Sequence, residues 1–247
     1  MPRAADAPMD TTPDRHTGQE PRHAVVTGAS SGIGQAIAAR LLREGWKVTG
    51  MSRTRPPEHP QDSPAFSWIQ ADLTDLDLLA DASAVVGEVD AVVHAAGLQR
   101  SAPLGRLSAS DGALMWRVHV EAATVLVNAL AGAIRPGGRV VLIGSRTMAG
   151  AAGKSQYAAT KAALVGLSRS WAMELAPRGI TVNVVAPGPT DTPMLRDPGR
   201  AATPPRVPPL GRFVRPEEVA GLTAFLLGPE GGAVTGQHLV MCGGASL

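Results

Sequence analysis

The sequence predicts a doubly wound α/β domain, with one parallel sheet of about seven strands and helices on both faces. Two observations carry this expectation. Between residues 23 and 241, short runs rich in Val, Ile and Leu alternate with helical patterns. Strands covered on both faces read as near-continuous apolar runs, whereas half-exposed strands alternate apolar with polar. The second observation is a glycine cluster at residues 27–34, set between the first apolar run and the first helical pattern. A chain of 247 residues suits a single α/β unit, and it can bury a large core without disulfides or metals.

Residues 1–21 are rich in Pro, Asp, Arg and Thr and lack apolar periodicity. They read as a disordered extension, because they bury too little surface to offset the cost of ordering. The domain is expected over residues 22–247. Its first strand lies at 23–27, and the helix after the glycine turn runs to about 44, where Gly45 stops it. Further strands are expected at 47–52, 66–69 and 90–94. A long helix over 108–131 precedes a fifth strand at 139–144, and a second long helix covers 154–176. Strands at 180–185 and 237–241 complete the sheet.

Composition excludes several classes. One cysteine, Cys242, rules out an internal disulfide and sets a cytoplasmic expectation. No run reaches the roughly 20 apolar residues of a membrane span, and no apolar signal-peptide core opens the chain. The net charge of +2 comes from mixed signs, and aromatics make up 3% of residues. Neither a nucleic-acid footprint nor a base-stacking platform follows from that. No cluster of Cys, His or carboxylate has metal-site spacing.

One segment breaks the regular pattern. Residues 187–215 contain eight prolines, and they follow directly on the sixth strand. Ligands of open α/β sheets bind at strand carboxyl ends, so residues of about 189–213 read as a substrate lid. Arg196, Arg200, Arg206 and Arg212 lie in it and are able to attract an anionic group. Each taken singly reads more readily as a solvated surface arginine.

Tyr157 is the only tyrosine, and it stands four residues before Lys161, one of three lysines. On a helix that spacing puts both side chains on one face. A phenol normally titrates at about 10, and a neighbouring ammonium favours the phenolate. The bland alternative is an amphipathic surface pair. The glycine cluster, Thr27-Gly-Ala-Ser-Ser-Gly-Ile-Gly34, holds Gly28, Gly32 and Gly34 with Ser30, Ser31 and Ile33. Glycines permit close backbone approach, and the helix that follows aims its positive end at the loop, as a phosphate site requires. The spacing is G-x-x-x-G-x-G, which differs from the G-x-G-x-x-G fingerprint.

These motifs resemble the classical short-chain dehydrogenases/reductases, a Rossmann-type family, over residues of about 23–247. The matching pieces are the glycine loop, Asp72-Leu73, His94-Ala-Ala-Gly97, Ser145, Tyr157-x-x-x-Lys161, Asn183, Pro187-Gly188, Thr235-Gly-Gln237 and Gly243-Gly244. The resemblance implies that Tyr157 exchanges a proton with the reacting carbonyl or alcohol. It implies that Ser145 stabilises charge on the same oxygen. Lys161 would hold the nicotinamide ribose and lower the Tyr157 pKa. Asp72, Leu73, Ala95, Ala96, Gly97, Pro187, Gly188, Thr190 and Thr192 would contact the cofactor. Two departures stand out. His94 replaces the first asparagine of the usual Asn-Asn-Ala-Gly stretch. On the long helix the alignment puts Glu121 at the asparagine position that helps hold a proton-relay water.

Cofactor choice turns on the end of the second strand. NAD enzymes place an acid there for the ribose 2′-hydroxyl, but this chain has Ser52 followed by Arg53. A guanidinium fork matches a 2′-phosphate, so NADP(H) is expected over NAD; Ser31, where many NADP-preferring relatives carry Lys or Arg, is the opposing observation. The function expected is interconversion of a ketone and a secondary alcohol. Candidate substrates are a 3-oxoacyl thioester and a small hydroxy-ketone or sugar alcohol. The alternative is an NADP-binding regulatory protein with little or no catalysis. The resemblance also implies a homotetramer.

Overall fold

The computed structural model describes residues 20–56 and 63–247. Residues 1–19 of the expected extension lie outside the described residues. Seven parallel strands form one sheet: β1 (His23–Thr27), β2 (Lys47–Ser52), β3 (Phe66–Gln70), β4 (Val89–His94), β5 (Ile134–Ile143), β6 (Thr181–Pro187) and β7 (His238–Met241). Their order is β3-β2-β1-β4-β5-β6-β7, and the direction of winding reverses between β1 and β4. That reversal opens a crevice at the strands' carboxyl ends.

Among the described residues, six α-helices cover the sheet: α1 (Gly32–Arg43), α2 (Leu76–Ala84), α3 (Ala109–Trp116), α4 (Ala122–Leu130), α5 (Ser155–Leu175) and α6 (Pro216–Leu227). Successive strand side chains point to opposite faces, so neighbouring valines serve different cores. Val25, Val92 and Val140 pack with Leu79 of α2, Leu126 of α4 and Leu164 of α5. Val26, Val93 and Val141 pack with Ile37 and Leu41 of α1 and with Val219 and Leu226 of α6. Truncating Leu41 to alanine costs about 2–5 kcal/mol.

The helices differ from the sequence expectation in three places. The expected helix over 108–131 is divided by a π-helical stretch at Arg117–Glu121. Helix α2 was not anticipated; Asp75 caps it by accepting from Leu78 N at 3.1 Å. Helix α6 was not anticipated either. It starts on Pro216, carries Glu217 and Glu218 in its first turn, and ends at Gly228. Among the described residues, no helix is long and apolar enough to cross a membrane.

Candidate active site

The carboxyl edge of the sheet opens into a cavity of about 800 Å³, lined by the glycine loop, the ends of β2, β4, β5 and β6, and the start of α5. Residues between 187 and 200 form its roof, whereas residues 201–213 of the expected lid do not line it.

At one end the wall is backbone. Gly28 has φ +68°, and a Cβ there would lie 2.8 Å from Ala96 Cα. A Cβ on Gly34 would collide with the Gly28 backbone, so Gly34 packs the loop from behind. Ser30, Ser31, Gly32 and Ile33 line the cavity. Ser31 is the N-cap of α1 yet makes no side-chain capping bond. The helix thus presents unsatisfied N–H groups and its positive end to the cavity.

Beyond that loop stand Ser52, Arg53, Asp72 and Leu73. Ser52 Oγ donates to Thr54 O at 2.8 Å and accepts from Trp68 Nε1 at 3.1 Å, so its hydroxyl is committed to the fold. Among the described residues, no carboxylate forms an ion pair with Arg53. Asp72 accepts from Thr74 N at 3.0 Å and Thr74 Oγ1 at 2.9 Å. These bonds, with the Arg53 charge, hold its carboxyl below the usual value despite partial burial.

The β4 end is fixed by His94. Ala95 N and Ala96 N both donate to Thr27 Oγ1, at 3.1 and 3.2 Å. The Thr27 hydroxyl proton therefore goes to His94 Nδ1 at 3.1 Å, and Nε2–H donates to Val118 O at 3.1 Å. Burial, then the Lys161 charge, pushes His94 down to about 3, so the ring is neutral. It acts as a strut under Ala95, Ala96 and Gly97, all of which line the cavity.

Ser145, Tyr157 and Lys161 converge at the centre of the cavity, all three buried. Ser145 follows β5, and its Oγ shares a 2.8 Å hydrogen bond with Thr147 Oγ1 and accepts from Thr147 N at 3.2 Å. Tyr157 and Lys161 lie one turn apart near the start of α5. Lys161 Nζ donates to Ile143 O at 2.8 Å and lies 6.0 Å from the Tyr157 ring centroid. Burial pulls Lys161 down to about 7. Burial also raises the Tyr157 phenol above its usual value, opposed by the Ser145 hydroxyl and the Arg200 charge. The lowering expected from Lys161 is therefore not seen: burial dominates, the phenol stays above its usual value, and the groups that oppose the rise are Ser145 and Arg200.

Glu121 does not belong to this centre. It is half-buried, pairs with Arg117 at 3.5 Å, and does not line the cavity. Two positions earlier, on the opposite helix face, His119 is fully buried. Its Nε2 accepts from Leu98 N at 3.1 Å, so Nδ1–H donates to Thr160 Oγ1 at 2.8 Å. Thr160 Oγ1 in turn donates to Tyr157 O at 2.8 Å. The ring meets the Tyr157 ring edge-on at 5.6 Å between centroids. Burial first, then the charge of Lys161, keeps His119 neutral well below its usual pKa. Gly97 permits this arrangement, since its Cβ position lies 3.2 Å from His119 Nε2 and 3.6 Å from Lys161 Nζ.

Pro187, Gly188, Thr190 and Thr192 complete the roof over the centre. Gly188 passes so close to Cys242 that a Cβ would lie 2.8 Å from Cys242 Cα. Thr190 and Thr192 are buried and donate to Gly188 O at 3.0 Å and Thr190 O at 3.3 Å. Asn183 stays outside the cavity. Its Nδ2 donates to Val234 O at 2.7 Å and its Oδ1 accepts from Gln237 N at 3.1 Å, tying β6 to the segment that leads into β7. Of the four lid arginines, Arg196 and Arg200 line the cavity, while Arg212 pairs with Glu218 at 2.7 Å. Sequence reasoning missed Arg146 and Lys154, which also line it.

A family model described as enoyl-(acyl carrier protein) reductase matches residues 28–246. The 3-oxoacyl-[acyl-carrier-protein] reductase FabG of Salmonella typhimurium is 38% identical over 243 residues, 91% of this chain and 97% of its own. A short-chain dehydrogenase from Burkholderia cenocepacia, solved in complex with NADP, superposes with a TM-score of 0.78 at 34% identity, covering 92% of this chain and 98% of its own. A blue fluorescent protein from a metagenomic library, solved with NADPH, gives 0.80 at 34% identity, with 92% of this chain and 98% of its own covered. The chain belongs to the short-chain dehydrogenase/reductase family, as an NAD(P)-dependent oxidoreductase acting between CH–OH and keto groups.

Proposed function

We propose that the protein is an NADP(H)-dependent reductase of a ketone to a secondary alcohol, with Tyr157 as the proton donor. The observation that carries this is the convergence of Ser145, Tyr157 and Lys161 on a cavity whose other end is the glycine loop. The residues present fit the cofactor. Gly28 leaves the space its backbone contact needs, the open N-terminus of α1 suits a pyrophosphate, and Arg53 suits a 2′-phosphate. Bound there, the dinucleotide supplies the hydride. Relatives solved with NADP or NADPH support the same choice.

The chain's own residues handle the oxygen and its proton. Tyr157 Oη gives its proton to the carbonyl oxygen as negative charge builds there. Ser145 Oγ donates a hydrogen bond to the same oxygen, which lowers the cost of that charge. Lys161 would hold the nicotinamide ribose, and its burial, which pulls the ammonium down to about 7, keeps it a group able to exchange protons near neutral pH. His119 fixes the Tyr157 turn through Thr160 and braces the ring from the side. Residues 189–200 close over the substrate as its lid.

The curated relative FabG acts on 3-oxoacyl groups, and a 3-oxoacyl compound is the first substrate class to try; small hydroxy-ketones are the second. The protein is expected to work in the cytoplasm as a homotetramer, which equilibrium sedimentation tests by its mass. The functional test is oxidation of NADPH, followed by its absorbance, against a panel of such ketones. Turnover with NADPH and little with NADH is the expected result. Tight cofactor binding without turnover of any carbonyl would support a regulatory protein instead.

A further inference from the structure

The substrate end of the cavity holds more positive charge than carbonyl reduction uses. Arg146, Lys154 and Arg200 all line it. Arg200 is buried, its Nε has no hydrogen-bond partner among the described residues, and its guanidinium donates to Met194 O at 3.4 Å. Arg146 Nε is likewise buried and without a partner among the described residues. Among those residues the Lys154 ammonium meets no carboxylate and donates no hydrogen bond. Burial, then the charges of Arg200 and Arg146, holds it below its usual pKa. Asp197 also lines the cavity and its charge acts on Arg200, but its hydrogen bonds are spent on Arg100 at 3.3 Å and on Gly199 N, which donates to it at 2.7 Å, leaving one carboxylate against the three cations.

Like charges gathered in a partly desolvated wall repel one another, and an anion among them relieves that cost. A guanidinium fork matches the two in-plane oxygens of a carboxylate. The position is also informative. Arg200 lies close enough to Tyr157 for its charge to act on the phenol, so the anion would sit beside the reacting carbon. Arg53 stands apart at the β2 end, beyond the glycine loop.

We propose that Arg146, Lys154 and Arg200 form a carboxylate subsite, and that the substrate is an oxo acid taken as the free acid. This rests on the carbonyl-reduction reading and narrows its substrate, since a thioester has no charge at that carbon. Calorimetry on the full chain loaded with NADP⁺, where no hydride is available, compares a short 3-oxo acid with its methyl ester. The acid is expected to bind at least about tenfold more tightly. Lys154→Met and Arg146→Met should each reduce that ratio by about tenfold. Arg146→Met guards against a Lys154 variant that fails to fold. Equal affinity for acid and ester, or equal losses for both in the variants, overturns the proposal. Tighter binding of a hydroxy-ketone phosphate than of the oxo acid overturns the carboxylate assignment. A parallel assay with NADPH separates the two readings. Acid-selective binding without turnover of any carbonyl supports the subsite while refuting the reductase.

Discussion

The two ends of the cavity are built from different materials. The cofactor end is backbone: Gly28 at φ +68° against Ala96, the open N-terminus of α1, and Ala95 and Ala96 held to Thr27. The substrate end is long side chains: Arg146, Lys154, Arg196 and Arg200, brought together from a β5 loop, the α5 start and the roof. A backbone wall demands particular residues at particular positions, because a Cβ at Gly28 meets Ala96 whatever the side chain beyond it. A side-chain wall tolerates many sequences, and its directions depend on what packs around it. The first end therefore carries the shared chemistry, and the second carries what is particular to this chain.

Breaking the centre between the two ends should have the largest effect. Tyr157→Phe removes the proton but leaves the ring that packs on His119. We expect kcat to fall about 10²–10⁴-fold while NADPH affinity, measured by fluorescence titration, stays within a few-fold. A variant that retained most of its kcat would move the acid to another group.

Next in size is the cofactor end. Arg53→Glu puts a carboxylate where a 2′-phosphate would lie, so NADPH affinity should fall about 10–100-fold. NADH, which lacks that phosphate, should lose little. An equal loss for both cofactors in kcat/KM would show that Arg53 supports the strand rather than reading the phosphate.

The smallest effect concerns the buried histidines. His94 titrates at about 3 in the fold and His119 well below its usual value, whereas in the unfolded chain both take protons near 6.5. Between those limits the unfolded state binds more protons. Their contribution is full above about 6.5 and is lost as pH falls below it; for His94 the loss runs down to about 3, at up to about 1.4 kcal/mol per pH unit. Urea unfolding at pH 7 and at 4.5 should show this loss. His94→Asn should shrink the difference by about 2 kcal/mol, and an unchanged acid slope would contradict the assignment.

Much of the fold was legible because each strand is buried on both faces and leaves an apolar run. All seven expected strands are present, but β5 starts at Ile134, before the expected 139–144 run. Its first residues, Ile-Arg-Pro-Gly-Gly, look like a turn. Helix α6 carried readable signals in Pro216, Glu217, Glu218 and Gly228, but the proline-rich stretch before it masked them. The misplacement of Glu121 has a similar lesson. Met115, Val118, Ala122, Leu126 and Leu130 form the buried stripe of that helix, and His119 falls on it while Glu121 falls off it. Periodicity thus held the answer that motif counting missed. The cluster of Arg146, Lys154 and Arg200 had no such signal, since long side chains from separated segments meet only through the fold.

The central claim is hydride delivery to a carbonyl carbon at Tyr157, and isotope transfer tests it most directly. NADPH deuterated at the nicotinamide C4 would be incubated with a ketone substrate and the product read by mass spectrometry and NMR. One deuterium on the carbinol carbon with the native chain, delivered about 10²–10⁴-fold more slowly by Tyr157→Phe, is the result expected. Deuterium on a carbon of a reduced C=C bond, as in an enoyl reductase, or no transfer to any carbonyl, would contradict it.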